Sequence, residues 1–197
     1  MKRLSARPSV FLFTRALMTD DFGPIRDRVR RELAAPGRRT LDLGCGPGTF
    51  ADLFAGEDYV GVDTNRRHIE YARRIRPGAF LAGGLRTLEL PEARFDQALA
   101  CGLFEHLADG AALAVLAEVR RVLVPGGRLL VIAELPAADR LGRLRQAVLG
   151  SVSRRPEEYR RLLEEAGPLA RLEAFRSGLT DCLAAQVRTR ETAAPRG

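Results

Sequence analysis

Short apolar runs alternate with stretches of helical periodicity along most of this 197-residue chain. Residues 24–35, PIRDRVRRELAA, read as a helix with Pro24 permitted in its first turn. TLDLG (40–44) reads as a short buried strand, TFADLFAG (49–56) as a short helix, and DYVGVD (58–63) as a second strand. RRHIEYARRI (66–75) is helical, AFLAG (79–83) a weak third strand and FDQALACG (95–102) a fourth. DGAALAVLAEVRRVL (109–123) is a strongly amphipathic helix that ends at VPGG, followed by a fifth strand, GRLLVIAEL (127–135). PEEYRRLLEEAG (156–167) predicts a helix stopped by Gly167, and LARLEAFRS (169–177) and TDCLAAQVRTR (180–190) a final pair of strands. Strands alternating with helices predict an α/β fold, a mostly parallel sheet covered on both faces.

Composition narrows the picture. An apolar share of 46% suffices for one ordinary core, and no apolar run approaches a membrane span. The N-terminal MKR is followed by VFLF and ALM, but Arg15 splits them and no small-residue cleavage pattern follows, so no signal peptide is read there. Three cysteines without ligand-like spacing read as free thiols, with no metal site. These features predict a cytoplasmic protein. The net charge of +7 comes almost wholly from arginine, Lys2 being the sole lysine. The arginines are scattered among carboxylates, as in EEYRRLLEE, rather than gathered with aromatics on one face. That pattern argues against a nucleic-acid partner.

Candidate chemistry gathers after the first strand. LDLGCGPGTF (41–50) puts Gly44, Gly46 and Gly48 at a strand-to-helix turn, where an open α/β sheet binds ligands. Glycine permits a positive φ and lets a ligand touch the main chain. Asp63 ends the second strand nineteen residues after Gly44, a spacing suited to accepting hydrogen bonds from a ribose diol. GPGTFA (46–51) leaves a nicotinamide dinucleotide open as the ligand. Against it stand the negative charge of Asp42, the amide lost at Pro47, and the lack of a lysine other than Lys2. A ligand with a cationic amino group and no phosphate suits Asp42 better.

LDLGCGPGTF, YVGVDTN, FDQALACGLFEHL and RRVLVPGGRLLVIAE together resemble the successive motifs of class I S-adenosylmethionine-dependent methyltransferases, most closely the small-molecule branch. The likeness covers residues 38–135 and, more loosely, the tail through YRRLLEEAG. It implies a three-layer sandwich around a seven-stranded sheet of order 3-2-1-4-5-7-6, with the seventh strand antiparallel. It also implies S-adenosylmethionine as cofactor and methyl transfer to a small-molecule acceptor, lipid-like or a natural product. A nicotinamide-dependent oxidoreductase and a cofactor-binding protein without turnover are the alternatives. The resemblance places Asp42 near the methionine amino group, the backbone of Gly44, Cys45 and Gly46 along the methionine part, and Gly48 at a close helix approach. It gives Asp63 the ribose hydroxyls, Thr64 the edge of the adenine pocket and His68 the adenine face. Cys101 and Gly102 fall close to the sulfonium.

One departure stands out. The family usually has Gly-Asp after the third strand, the aspartate holding the adenine amine; here Gly84 takes its place, leaving Leu85 to offer its amide and apolar contact. The base, if the acceptor arrives protonated, is His106 in FEHLAD, with Glu105 as second choice. The expected organisation is a helical N-terminal cap segment, 1–36, and a methyltransferase domain, 37–197, with a lid insertion near 135–156. The acceptor site is expected from PSVFLFTRALMTDDF (8–22) and from that insertion. In the insertion Leu141, Leu144 and Val148 share a helical face, a pattern that fits a lid, a membrane-surface helix or ordinary packing.

Overall fold

The computed structural model describes residues 22–55 and 58–189. The strands are β1 (Thr40–Leu43), β2 (Tyr59–Asp63), β3 (Ala79–Ala82), β4 (Phe95–Cys101), β5 (Leu123–Glu134), β6 (Leu169–Ser177) and β7 (Thr180–Arg188). The helices are α1 (Gly23–Leu33), α2 (Arg66–Ile75), α3 (Asp109–Val122), α4 (Arg140–Leu149) and α5 (Pro156–Glu164). The strands form one sheet in the order β3-β2-β1-β4-β5-β7-β6, the order expected. β1 to β5 pair in parallel, while β7 runs antiparallel to both β5 and β6.

Alternation along the central strands feeds two faces. Ala98, Ala100, Leu129 and Val131 join Leu41 and Leu43 against Val115, Leu116 and Val119 of α3 and Tyr159 and Leu163 of α5. Leu99, Leu130 and Ile132 point the other way, against Ile25, Val29 and Leu33 of α1. On that same face Tyr59 and Phe80 pack with Ile69 and Ala72 of α2. α1 therefore lies flat on the sheet. The rest of the cap segment, including most of PSVFLFTRALMTDDF, lies outside the described residues. Among the described residues no helix is long and apolar enough to cross a membrane.

Two elements differ from the sequence reading. TFADLFAG forms only a 3₁₀ turn, Ala51–Leu53. Its aromatic residues fix it: Phe50 packs edge-on to Phe22, and Phe54 leaves the turn extended and stacks on Tyr59 at 5.5 Å. VPGG does not separate α3 from β5, because β5 begins at Leu123, directly after the helix. Leu123 pairs with Phe95, and the register then slips so that Gln97 faces Arg128. The slip absorbs the extra residues, with Gly126 at φ 72°.

Candidate functional site: a glycine turn at the carboxyl edge

The turn after β1 is built from three glycines in the left-handed region, Gly44 at φ 71°, Gly46 at 54° and Gly48 at 74°. An L side chain at these angles is strained, so the alternation of glycine is a backbone requirement. Space adds to it at Gly48, where a Cβ would lie 3.1 Å from the Phe80 ring. The turn is sewn to β2, since the Gly44 and Cys45 amides both donate to the Val62 carbonyl, at 2.8 and 3.2 Å.

Asp63 ties the turn to the next element. Its Oδ2 accepts the Gly46 amide at 2.9 Å and its Oδ1 accepts the Asn65 amide at 2.7 Å. Asn65 in turn caps α2, its Oδ1 accepting the Arg67 and His68 amides. Each carboxylate oxygen keeps acceptor capacity beyond the bond it makes here. Asp63 is half-buried and Thr64 exposed, while His68 is buried in the first turn of α2.

Asp42 sits deeper. It is buried on β1 and its Oδ2 accepts the Tyr59 hydroxyl at 2.5 Å. Burial pushes its carboxyl up to about 7; the Tyr59 bond opposes this and the Asp63 charge adds to it. Cys45 is also buried, and burial together with Asp42 and Asp63 raises its thiol far above the ordinary value. It therefore contributes backbone to the turn and no thiolate chemistry.

The strand ends bring further expected residues to this edge. The Gly83 amide donates to the Asp63 carbonyl at 3.0 Å, extending the β2–β3 pairing. Gly84 is exposed, with nothing within 4 Å of where a Cβ would stand. The Leu85 side chain is buried in the main core beside Val62 and Leu88, so it is a packing residue. Cys101 is half-buried at the end of β4, and Gly102, at φ 67°, donates its amide to Ile132 at 2.9 Å. His106 closes a 3₁₀ turn, Phe104–His106, with its side chain exposed, while Glu105 beside it is buried.

Three residues that organise this edge had no role in the sequence reading. Tyr59 is the partner of Asp42, legible in hindsight because Tyr59, Gly61 and Asp63 alternate along β2. Arg154 is buried and donates to the Phe104 carbonyl at 2.8 Å, the Leu107 carbonyl at 2.6 Å and Asp109 Oδ1 at 2.7 Å, over the Tyr159 ring. Gln146 is buried in α4; its Nε2 donates to the Leu135 carbonyl and its Oε1 accepts the Ala137 amide. Gln146 thus fastens α4 to the residues that follow β5, and Arg154 fastens the end of segment 135–156 to the turn after β4. No local sequence signal distinguishes Arg154 among so many arginines.

A model of the methyltransferase domain matches residues 40–127, the stretch that carries β1 through the start of β5 and every glycine of the turn. This stretch is a methyltransferase domain, and the fold around it is the Rossmann-like one of the class I S-adenosylmethionine-dependent methyltransferases. The family's cofactor is S-adenosylmethionine. Similar methyltransferases include the ubiquinone biosynthesis O-methyltransferase of Cereibacter sphaeroides, 38% identical over 108 residues, covering 49% of this chain and 43% of that one. The trans-aconitate 2-methyltransferase of Methylobacterium nodulans is 33% identical over 158 residues, 77% of this chain and 58% of its own. The chain thus spans about half the length of these relatives. The magnesium protoporphyrin IX methyltransferase of Synechocystis PCC 6803 shares the fold at a TM-score of 0.67 and 17% identity, over 84% of this chain and 82% of that one. The antiparallel β7 and the family match set aside the nicotinamide alternative.

Proposed function

We propose that this methyltransferase moves a methyl group to a small-molecule nucleophile by in-line displacement, with the cofactor held at the glycine turn. The observation that carries the reading is the turn itself: three left-handed glycines at the carboxyl edge, pinned to Asp63, with open space beside Gly84. These features fit S-adenosylmethionine, since the donor set joins bare backbone to carboxylates that suit a cationic amino group and a ribose diol. The cofactor, when bound, supplies a methyl group already activated on a sulfonium.

The chain's own residues then bind and orient. The backbone of Gly44, Cys45 and Gly46 faces the methionine part, Asp42 biases the site towards a cationic amino group, and Asp63 accepts the ribose hydroxyls while keeping its hold on Gly46. Thr64 and His68 border the adenine, with Gly84 at its edge and Cys101 and Gly102 near the reacting end. The acceptor lies between the 104–109 turn and the 135–156 insertion, which Arg154 holds together. Holding a nucleophile in line supplies much of the acceleration in such reactions. His106, exposed at the mouth, takes the acceptor's proton where one must leave. The names of the relatives support a small-molecule acceptor, and the buried Cys45 thiol supports a cytoplasmic setting.

Titration calorimetry with S-adenosylmethionine, its demethylated product and NAD tests the site: the first two bind and NAD does not. Turnover against a panel of phenols, carboxylic acids and amines tests the activity. Binding without any turnover leaves a cofactor-binding protein, and absence of binding removes the reading.

A further inference from the structure

Segment 135–156, which follows β5 at the carboxyl edge, turns Leu141, Leu144 and Val152 outwards. Leu141 is 76% and Leu144 61% exposed, and Val152 just beyond the helix is 49% exposed. The buried Gln146 fixes the orientation of α4. By helical period Leu141 and Leu144 lie on the side opposite Gln146, so the anchor that ties the helix down turns its leucines away from the domain. The tip of the β6–β7 hairpin adds Leu179, 72% exposed. Because β7 alone runs antiparallel, that tip lies at the same edge as the end of β5, and the Leu135 amide bonds the Asp181 carbonyl at 2.8 Å. Exposed leucines from two separate elements thus share the edge that carries the glycine turn.

Charge selects the occupant. α4 itself, residues 140–149, contains Arg140, Arg143 and Arg145 and no carboxylate, while Arg154 and Arg155 beyond it are paired with Asp109 and with Glu157 and Glu158. Arg140 and Arg143 are exposed on α4. Asp139 at the helix start caps the Gly142 amide and offsets part of the Arg143 charge, leaving the helix net positive. The chain's own N-terminal segment is a poor match: residues 1–22 carry Lys2, Arg3, Arg7 and Arg15 against Asp20 and Asp21, a net positive charge. A second copy of the same patch brings like charge onto like charge. Leucines flanked by arginines in net excess are what an interfacial helix needs to sit on a negatively charged bilayer, the leucines entering the acyl boundary while the arginines meet headgroups.

We infer that α4 and the β6–β7 tip form a docking surface for an anionic lipid bilayer, placing the mouth of the site at the membrane. This inference stands apart from the choice of reaction and survives if the functional reading fails. It also separates lipid from nucleic acid, which would use the arginines and be indifferent to the leucines.

The test is co-sedimentation of the full chain with vesicles of phosphatidylcholine alone and of phosphatidylcholine mixed with phosphatidylglycerol. The protein is expected to pellet with the mixed vesicles, to stay in solution with the neutral ones, and to be released by raised salt. The double variant Leu141→Gln/Leu144→Gln, and separately Leu179→Gln, should each weaken partitioning by about tenfold or more, with unchanged thermal unfolding. Arg140→Gln should cost about fivefold. No binding to mixed vesicles overturns the inference. So does binding that the leucine variants leave intact, or single-stranded RNA bound as tightly as the vesicles. A dimer in gel filtration that the double variant dissociates assigns the face to a second copy and equally overturns it.

Discussion

The Tyr59 hydroxyl donates to Asp42 Oδ2 at 2.5 Å, joining the first residue of β2 to the middle of β1 inside the protein. The folded Asp42 carboxyl titrates at about 7, against 3.8 for the ordinary group, chiefly because it is buried. Between those values the folded state keeps a proton that the unfolded chain has lost. Its contribution is therefore fully present below about pH 4 and is lost as pH rises through about 7, a change on the order of a few kcal/mol. Asp42→Asn keeps an acceptor for Tyr59 without the charge. Thermal unfolding against pH should show the variant gaining on the native protein from pH 4 to 7 and running parallel above. A constant offset would mean that Asp42 does not titrate in this window.

Asp63 accepts two backbone amides, those of Gly46 and Asn65, one on each carboxylate oxygen. Asp63→Ala should therefore lower the stability of the free protein by about 1–3 kcal/mol, as well as weakening cofactor binding. Denaturant unfolding without ligand separates the two effects. Full stability with lost binding would make Asp63 purely a ligand group. For the same reason Gly46→Val, at φ 54°, is expected to cost about 1–3 kcal/mol of folding stability in addition to binding.

Gly84 is outside the left-handed region and has open space around it, so Gly84→Asp should fold normally. If the adenine edge lies here, the new carboxylate accepts the exocyclic amine and tightens S-adenosylmethionine by on the order of 1 kcal/mol. Calorimetry with an analogue lacking that amine is the control. Equal gain for both ligands, or none, moves the adenine away from Gly84.

Arg154 joins segments 45 to 50 residues apart. Arg154→Met leaves the Phe104 and Leu107 carbonyls without their buried donor and should destabilise by about 2–4 kcal/mol. Hydrogen exchange should rise in 104–109 and 150–156 before it rises in the sheet. Uniform loss of protection would show that Arg154 supports the whole fold rather than this junction.

What the sequence determined by itself was everything governed by local rules. Strand and helix periods placed nearly every element, because a residue's face depends only on its spacing from its neighbours. The glycines at 44, 46 and 48 announced a left-handed turn, because few other residues tolerate that backbone. The motifs in order carried the family and, with it, the strand order. Local rules failed at TFADLFAG, where aromatic anchoring in two clusters outweighed helical spacing, and at VPGG, where a bulge let the strand start early. Tertiary structure alone decided the rest. It paired Asp42 with Tyr59, gave Asp63 its hold on Gly46, made Arg154 a buried clasp, and turned Leu141 and Leu144 outwards through Gln146. Each of these depends on which residues distant in the chain meet at one place, and that is set by how the layers pack, not by the spacing of residues along the chain.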